Sequence, residues 1–182
     1  MRTVIPLKRR PLDIIILGYF IFNIVFITYL FDLEQIVITD ASDFTYPAWP
    51  PKSIDDLGHW WGQHFDPLLY ARPVWWRATI WIDAVLFGPF YLAGIYAFVK
   101  GKDWIRLPSI IYSSVMLTNV TIILSEEIWG AHASGNLAAV LGANASWIIV
   151  PVLIICRMWK PEHPFTVEVS AVSAPTPSET DD

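Results

Sequence analysis

Four long apolar stretches separated by short polar ones set the pattern of this chain: residues 12–31, 75–99, 107–128 and 137–158. Each is about 20 residues long, the length a helix needs to cross the hydrocarbon core of a bilayer at ~1.5 Å per residue. Pro11 opens the first helix, and Asp32 marks its outer boundary after the aromatic end at Phe31. A long outer loop follows, in which Pro47, Pro50 and Pro51 break any extended helix. Within it, Leu57, Trp60, Trp61 and His64 recur at helical spacing, which predicts a short amphipathic helix over residues 54–65, on the membrane face or capping the bundle. Gly88-Pro89 predicts a kink near the middle of the second helix. Lys100-Gly101-Lys102 predicts a tight inner turn, and Pro108 suits the first turn of the third helix. Gly135, Ala138, Ala139, Gly142, Ala143 and Ser146 give the fourth helix a small-residue face, fit for close packing inside the bundle or between two chains.

Composition and charge agree with this reading. The chain has 182 residues, of which 54% are hydrophobic and 16% charged, with a mean hydropathy of +0.45. A soluble protein of this size would need four fully buried core helices. Nine of the twelve basic residues, Arg2, Lys8, Arg9, Arg10, Lys100, Lys102, Arg106, Arg157 and Lys160, fall on one side of an alternating four-span path. Positive charge favours the cytoplasmic side, so both termini are expected there. The basic residues form no stripe for nucleic acid. Trp60, Trp61, Trp75, Trp76 and Trp129 on one side, with Trp104 and Trp159 on the other, read as interfacial belts. Cys156 is the only cysteine, so no intrachain disulfide orders the outer loop. The basic start followed by an apolar run lacks a small-residue cleavage site, so a retained first helix is expected. The expected fold is an all-α integral membrane protein: a four-helix bundle over residues 1–160, with a structured outer loop between helices one and two. A disordered acidic cytoplasmic tail is expected over residues 161–182.

Asp83 is the residue that asks for a function. It lies within an apolar helix, roughly 12 Å below the outer end. Ionisable groups at that depth are costly and usually serve a ligand, an ion or a proton. Trp76, Thr79, Asp83, Phe87 and Phe90 share one helical face, the composition of a cavity wall. A second acid at the same cavity, such as Asp32, would share a proton with it, as paired carboxylates do. Such a pair attracts a cationic amine or delivers a proton to an alkene. Asn23, Thr118, Asn119, Thr121 and Asn144 add polar groups at membrane depth. Glu126 and Glu127 end the third helix, where a solvated helix end is expected. The histidines form no metal-ligand pattern, and neither a metal nor a cofactor is implied.

Phe65-Asp66-Pro67-Leu68-Leu69, Pro73-x-Trp75, the buried Asp83, Tyr96-Ala97-Phe98-x-Lys100-Gly101, and Trp104-Ile105-Arg106-x-Pro108 through Tyr112-Ser113 carry a family resemblance. The chain resembles the EXPERA group, which includes sigma-2-receptor-like proteins and the emopamil-binding sterol isomerases. The resemblance implies four membrane helices with both ends cytoplasmic. It also implies a pocket open sideways to the bilayer that takes sterols and cationic amphiphiles. Carried over residue by residue, it makes Asp32 the counter-ion of a ligand amine, Asp83 its protonated partner, and Asp66 a structural residue ordering the outer loop. The family has glutamate at the position of Asp83. Its helix-one histidine falls near Asn23, and its helix-four tyrosines fall near Asn144 and Trp147. An endoplasmic-reticulum location and a homodimer are further implications.

The leading expectation is therefore a receptor-like membrane protein that binds a sterol or amphiphilic amine through Asp32 and Asp83. Asn23, Thr79, Phe87, Phe90, Tyr112, Thr118, Asn119 and Trp147 are the further candidate lining residues. The alternative is an isomerase or cyclase of a lipid alkene, with Asp32, Asp83 and Glu126 as catalytic acids. A third reading is a regulator of sterol trafficking.

Overall fold

The computed structural model describes residues 1–168; the remainder of the expected tail lies outside the described residues. The chain is 74% helical. Four helices are long and apolar enough to cross a membrane: Pro11–Val37, Val74–Lys100, Asp103–Trp129 and Leu137–Trp159, hereafter the first to fourth spans. Each begins or ends where the local chemistry allows. Pro11 occupies the first turn of the first span, where its missing N–H costs nothing. Gly101 takes a left-handed φ of 62° to end the second span, and Lys102 N–H closes the turn on Ala97 O at 2.8 Å. The Asn136 side chain caps the fourth span by accepting the Ala139 N–H at 3.1 Å. Arg106 donates to Met158 O and Trp159 O, both at 2.8 Å, and so satisfies the last carbonyls of the fourth span from the start of the third.

The predicted kink takes a specific form. Residues Asp83–Phe87 make wide, π-helical turns, with Gly88 N–H donating back to Asp83 O. Pro89 follows directly; it has no N–H to give and crowds the preceding turn, so the helix widens there. Asn23–Asp32 of the first span is wide in the same way. Asp32 therefore does not end its helix, as expected, but lies inside it: the span continues to Val37, and Asp32 is buried.

Phe20 anchors the core. Its ring lies 5.5–6.1 Å from those of Phe90, Tyr91, Phe98 and Tyr112. The second span approaches this ring through Gly94, where a Cβ would fall 2.9 Å from it. On the outward face of the third span, Ser114, Thr118, Thr121 and Ser125 each donate to the carbonyl four residues back. Their hydroxyls are thus satisfied without a partner helix.

The loop helix runs over Lys52–His64, close to the predicted span, and a short helix, Pro67–Ala71, follows it. At the other end of the bundle, the termini pair. Arg2–Val4 and Thr166–Glu168 form a two-stranded antiparallel sheet, so ordered chain extends past the expected tail boundary to Glu168. Beneath the sheet Asp13 is fully buried. It accepts from Arg10 at 2.9 Å and from Arg157 at 3.1 Å, and both guanidiniums lie over the Phe165 ring. One carboxylate thereby ties the first span, the fourth span and the C-terminal segment.

Removing one partner from a buried ion pair leaves uncompensated charge. Asp13→Ala should cost about 3 kcal/mol or more of stability, read as a fall in Tm of the detergent-solubilised protein. Arg2→Ala, at the exposed Arg2–Glu168 pair, should leave Tm nearly unchanged.

Candidate functional site

A cavity of about 350 Å³ lies between the spans under the loop helix. That is within the range of small-molecule pockets. All four spans reach it: Phe26, Phe31 and Asp32 from the first, Trp76, Thr79, Asp83 and Phe87 from the second, Asn119 from the third, and Asn144 and Trp147 from the fourth. Leu57 and Trp61 of the loop helix roof it, together with Asp66. Among the described residues, its lining includes no lysine, arginine or histidine.

The wide turns of the first two spans bring Asp32 and Asp83 together. Their carboxyls lie side by side in the cavity wall, an approach that two ionised carboxylates would resist. The close approach depends on Gly88, where a Cβ would fall 3.2 Å from Thr28 Cγ2. Thr28 can then donate to Asp83 Oδ2 at 2.6 Å. Tyr91 donates to Asp83 Oδ1 at 3.5 Å, Tyr112 donates to Tyr91 at 3.3 Å, and Tyr19 meets Tyr112 at 3.0 Å. All three tyrosines are buried.

Of the candidate residues, Asp32, Asp83, Thr79, Phe87, Asn119 and Trp147 line the cavity. Four others do not. Phe90 and Tyr112 stack on one another at 4.3 Å in the core below. Thr118 faces outward, its hydroxyl bound to Ser114 O. Asn23 stands behind the wall, where it accepts from Trp147 Nε1 at 2.8 Å and so fixes that ring. Glu126 is bound to His132 at 2.8 Å and is not among the lining residues. Glu127 is not a solvated helix end: it is fully buried, and its carboxyl meets that of Asp66. Asp66 also caps the short helix, accepting the Leu69 N–H at 2.8 Å. Trp61 and Trp76 line the cavity instead of serving only as belt anchors. Trp76 donates to Gln35 at 2.6 Å. Thr28 and Gln35 flank Asp32 at helical spacing, a signal the sequence did contain.

The cavity roof is locked by charge. Glu34 is buried and accepts from Arg72 at 2.9 Å with both oxygens, and from His59 at 2.9 Å. Arg72 also donates to Ile38 O. It holds a left-handed φ of 47°, a conformation costly for a side chain with a Cβ and kept here by these contacts. The lock joins the end of the first span to the loop.

Residues 54–158 match the family model described as EBP: EXPERA (EXPanded EBP superfamily). The chain belongs to the EXPERA family. Sigma intracellular receptor 2 of Homo sapiens is 34% identical over 167 residues, covering 84% of this chain and 90% of that protein. The same receptor of Xenopus tropicalis is 31% identical over 160 residues, covering 82% and 88%. A probable 3-beta-hydroxysteroid-Delta(8),Delta(7)-isomerase of Arabidopsis thaliana is 31% identical over 84 residues, covering 43% of this chain and 38% of that protein. The EXPERA match begins in the loop helix, so the first span with Asp32 lies outside it, although the receptor relatives cover most of the chain.

The roof makes a pH prediction. Asp55 of the loop helix is fully buried with neither carboxyl oxygen hydrogen-bonded. Burial pushes its pKa above the ordinary value. The folded state then favours the protonated form, so this group's contribution to stability is full below the unfolded value of about 4 and is lost as pH rises through the folded value. Asp55→Asn should raise Tm at pH 7 and leave it unchanged near pH 3.5 to 4, in thermal unfolding of the solubilised protein.

Proposed function

We propose that this EXPERA protein is a receptor-like binder of sterol-type or cationic amphiphilic molecules, held in the cavity with the Asp32–Asp83 pair as counter-ion. The observation that carries the reading is the pair itself. Asp32 and Asp83 meet in an apolar chamber, roofed in part by Asp66, whose described lining offers no basic residue, so the cation that balances the pair comes from outside. Phe26, Phe31, Phe87 and Trp147 supply apolar surface for a carbon skeleton, at roughly 25 cal/mol per Å² buried. The similarity to sigma intracellular receptor 2 supports a receptor in an endomembrane such as the endoplasmic reticulum, with both termini cytoplasmic. A homodimer would find in Gly135 and Gly142 a face with no neighbour inside the chain. Regulation of sterol trafficking is a role such a binder could serve.

The Arabidopsis isomerase relative supports a second reading, protonation of a sterol alkene by the same pair. Glu126 has no part in it, because His132 holds it and it is not among the lining residues.

Replacing both acids, Asp32→Asn with Asp83→Asn, should weaken binding of a protonated tertiary-amine amphiphile about tenfold or more while the protein stays folded in lipid nanodiscs. Equal affinity in the double variant rejects the counter-ion role. Incubation with an isotopically labelled Δ8 sterol, followed by mass spectrometry, separates the readings: a shifted double bond establishes the isomerase.

A further inference from the structure

The loop helix Lys52–His64 covers the cavity with little to hold it down. Its buried residues are Asp55, Gly58, His59 and Gly62, so it buries no large apolar side chain. Among the described residues, none of its side chains joins an apolar core cluster. Leu57 and Trp61 face the cavity instead, and Leu57 and Trp60 are exposed. The helix approaches its neighbours through glycine. A Cβ at Gly58 would meet the Phe31 ring at 3.7 Å, and one at Gly62 would meet Tyr70 Cβ at 3.1 Å. Both flanks are pinned, by Trp49 Nε1 donating to Tyr29 O at 3.0 Å and by Ser134 Oγ donating to Phe65 O at 2.6 Å. Between those pins, one side-chain hydrogen bond among the described residues ties the helix to a span: His59 Nε2 to Glu34 at 2.9 Å. Segments with few buried apolar contacts are the ones that open most readily.

Asp55 works against closure. It is fully buried, one helical turn before His59, and neither of its oxygens has a partner among the described residues. The charged groups that face it are Lys52, Asp56 and His59 on its own helix and Arg72 beside the short helix. Each is committed elsewhere. Lys52 is held by Asp56 at 2.8 Å and by Tyr46 at 2.7 Å, and His59 is held by Glu34. Arg72 gives Nε to Leu69 O, Nη1 to Ile38 O and Nη2 to Glu34. An ionised Asp55 is therefore costly while the helix is down and is solvated when the helix lifts.

We infer that the loop helix is a pH-sensitive lid over the cavity, latched by the His59–Glu34 bond and released when Asp55 ionises. With the lid closed, burial holds the Asp55 carboxyl above its ordinary value; positive charge on His59 and Arg72 offsets only part of that. With the lid open, the carboxyl returns to about 4. Opening is therefore least below that pH, increases as pH rises through it, and levels off above the closed-state value. The lid itself needs no ligand; its role as a gate to the cavity rests on the binding reading above.

A 13-residue helix lifted off its support is marginal in water, so lid opening is read by hydrogen exchange of its amides. The measurement uses the full-length protein in lipid nanodiscs and mass spectrometry, with rates corrected for the intrinsic effect of pH. Amides of Lys52–His64 should exchange faster than those of the spans, and their opening should increase about tenfold from pH 4 to pH 7. In Asp55→Asn that increase should vanish, leaving opening at pH 7 about tenfold lower than in the wild type. His59→Phe should raise opening by about three- to tenfold, and His59→Gln, which can still donate to Glu34, should restore it. A wild type that opens equally at both pH values, or an Asp55→Asn variant that keeps the increase, overturns the lid. Release of N,N-dimethyldodecylamine tests the gate: at pH 7 it should be about threefold slower or more from Asp55→Asn. Unchanged release alongside altered exchange overturns the gating role. If the wild type does not bind the amine, the binding reading fails, and hydrogen exchange still decides whether the lid exists.

Discussion

The contact between the Asp32 and Asp83 carboxyls organises this molecule. Two acids side by side in a low-dielectric chamber cannot both ionise without strong repulsion, so at least one of them stays protonated where they meet. That contact demands a close approach of the first and second spans. The wide turns at Asn23–Asp32 and Asp83–Phe87 aim the side chains, and Gly88 lets Thr28 come near enough to join them. Because helices in lipid gain no hydrophobic drive toward one another, polar contacts and close packing at small residues set this geometry.

The other buried acids make the contrast clear. The first span carries Asp13, Asp32 and Glu34, all buried. Asp13 is held by Arg10 and Arg157 at the end near the termini, and Glu34 by Arg72 and His59 at the loop end. Each of those clusters clips distant segments together. Asp32 is the member of the three with another acid as partner and a cavity in front of it. The same chemistry thus closes the bundle at its two ends and leaves the acid pair facing the cavity in between.

Much of this was legible in the chain. Runs of about 20 apolar residues require spans, and the tryptophan-bearing period in the loop requires its helix. Asp83 announced itself because a carboxyl in the middle of an apolar helix has no ordinary explanation. Asp32 read as the polar end of its span because the charge that neutralises its neighbour Glu34, Arg72, is far along the chain and in a left-handed turn that no periodicity reports. Glu127 read as solvated for the same reason: Asp66, which it meets, belongs to another element. Phe90 was placed on the cavity wall by helical spacing from Asp83; the widening at residues 83–87 shifts the register after it, and its ring stacks on Tyr112 of the third span in the core. The terminal strands are three residues each, too short to leave a pattern.

The arrangement also bears on the choice between holding a cation and making one. To protonate an alkene, the pair must give up its shared proton, leaving two carboxylates in contact at the moment a carbocation forms nearby. The described lining brings no basic side chain to steady the dianion, and the tyrosine chain steadies only Asp83. An amine arrives already charged. It needs only to shed water, and on the proposed reading it meets a pair that holds one negative charge before and after binding. Of the two readings, the second asks the site to create charges that its donors are not placed to support, and the first asks it only to balance a charge that it already carries.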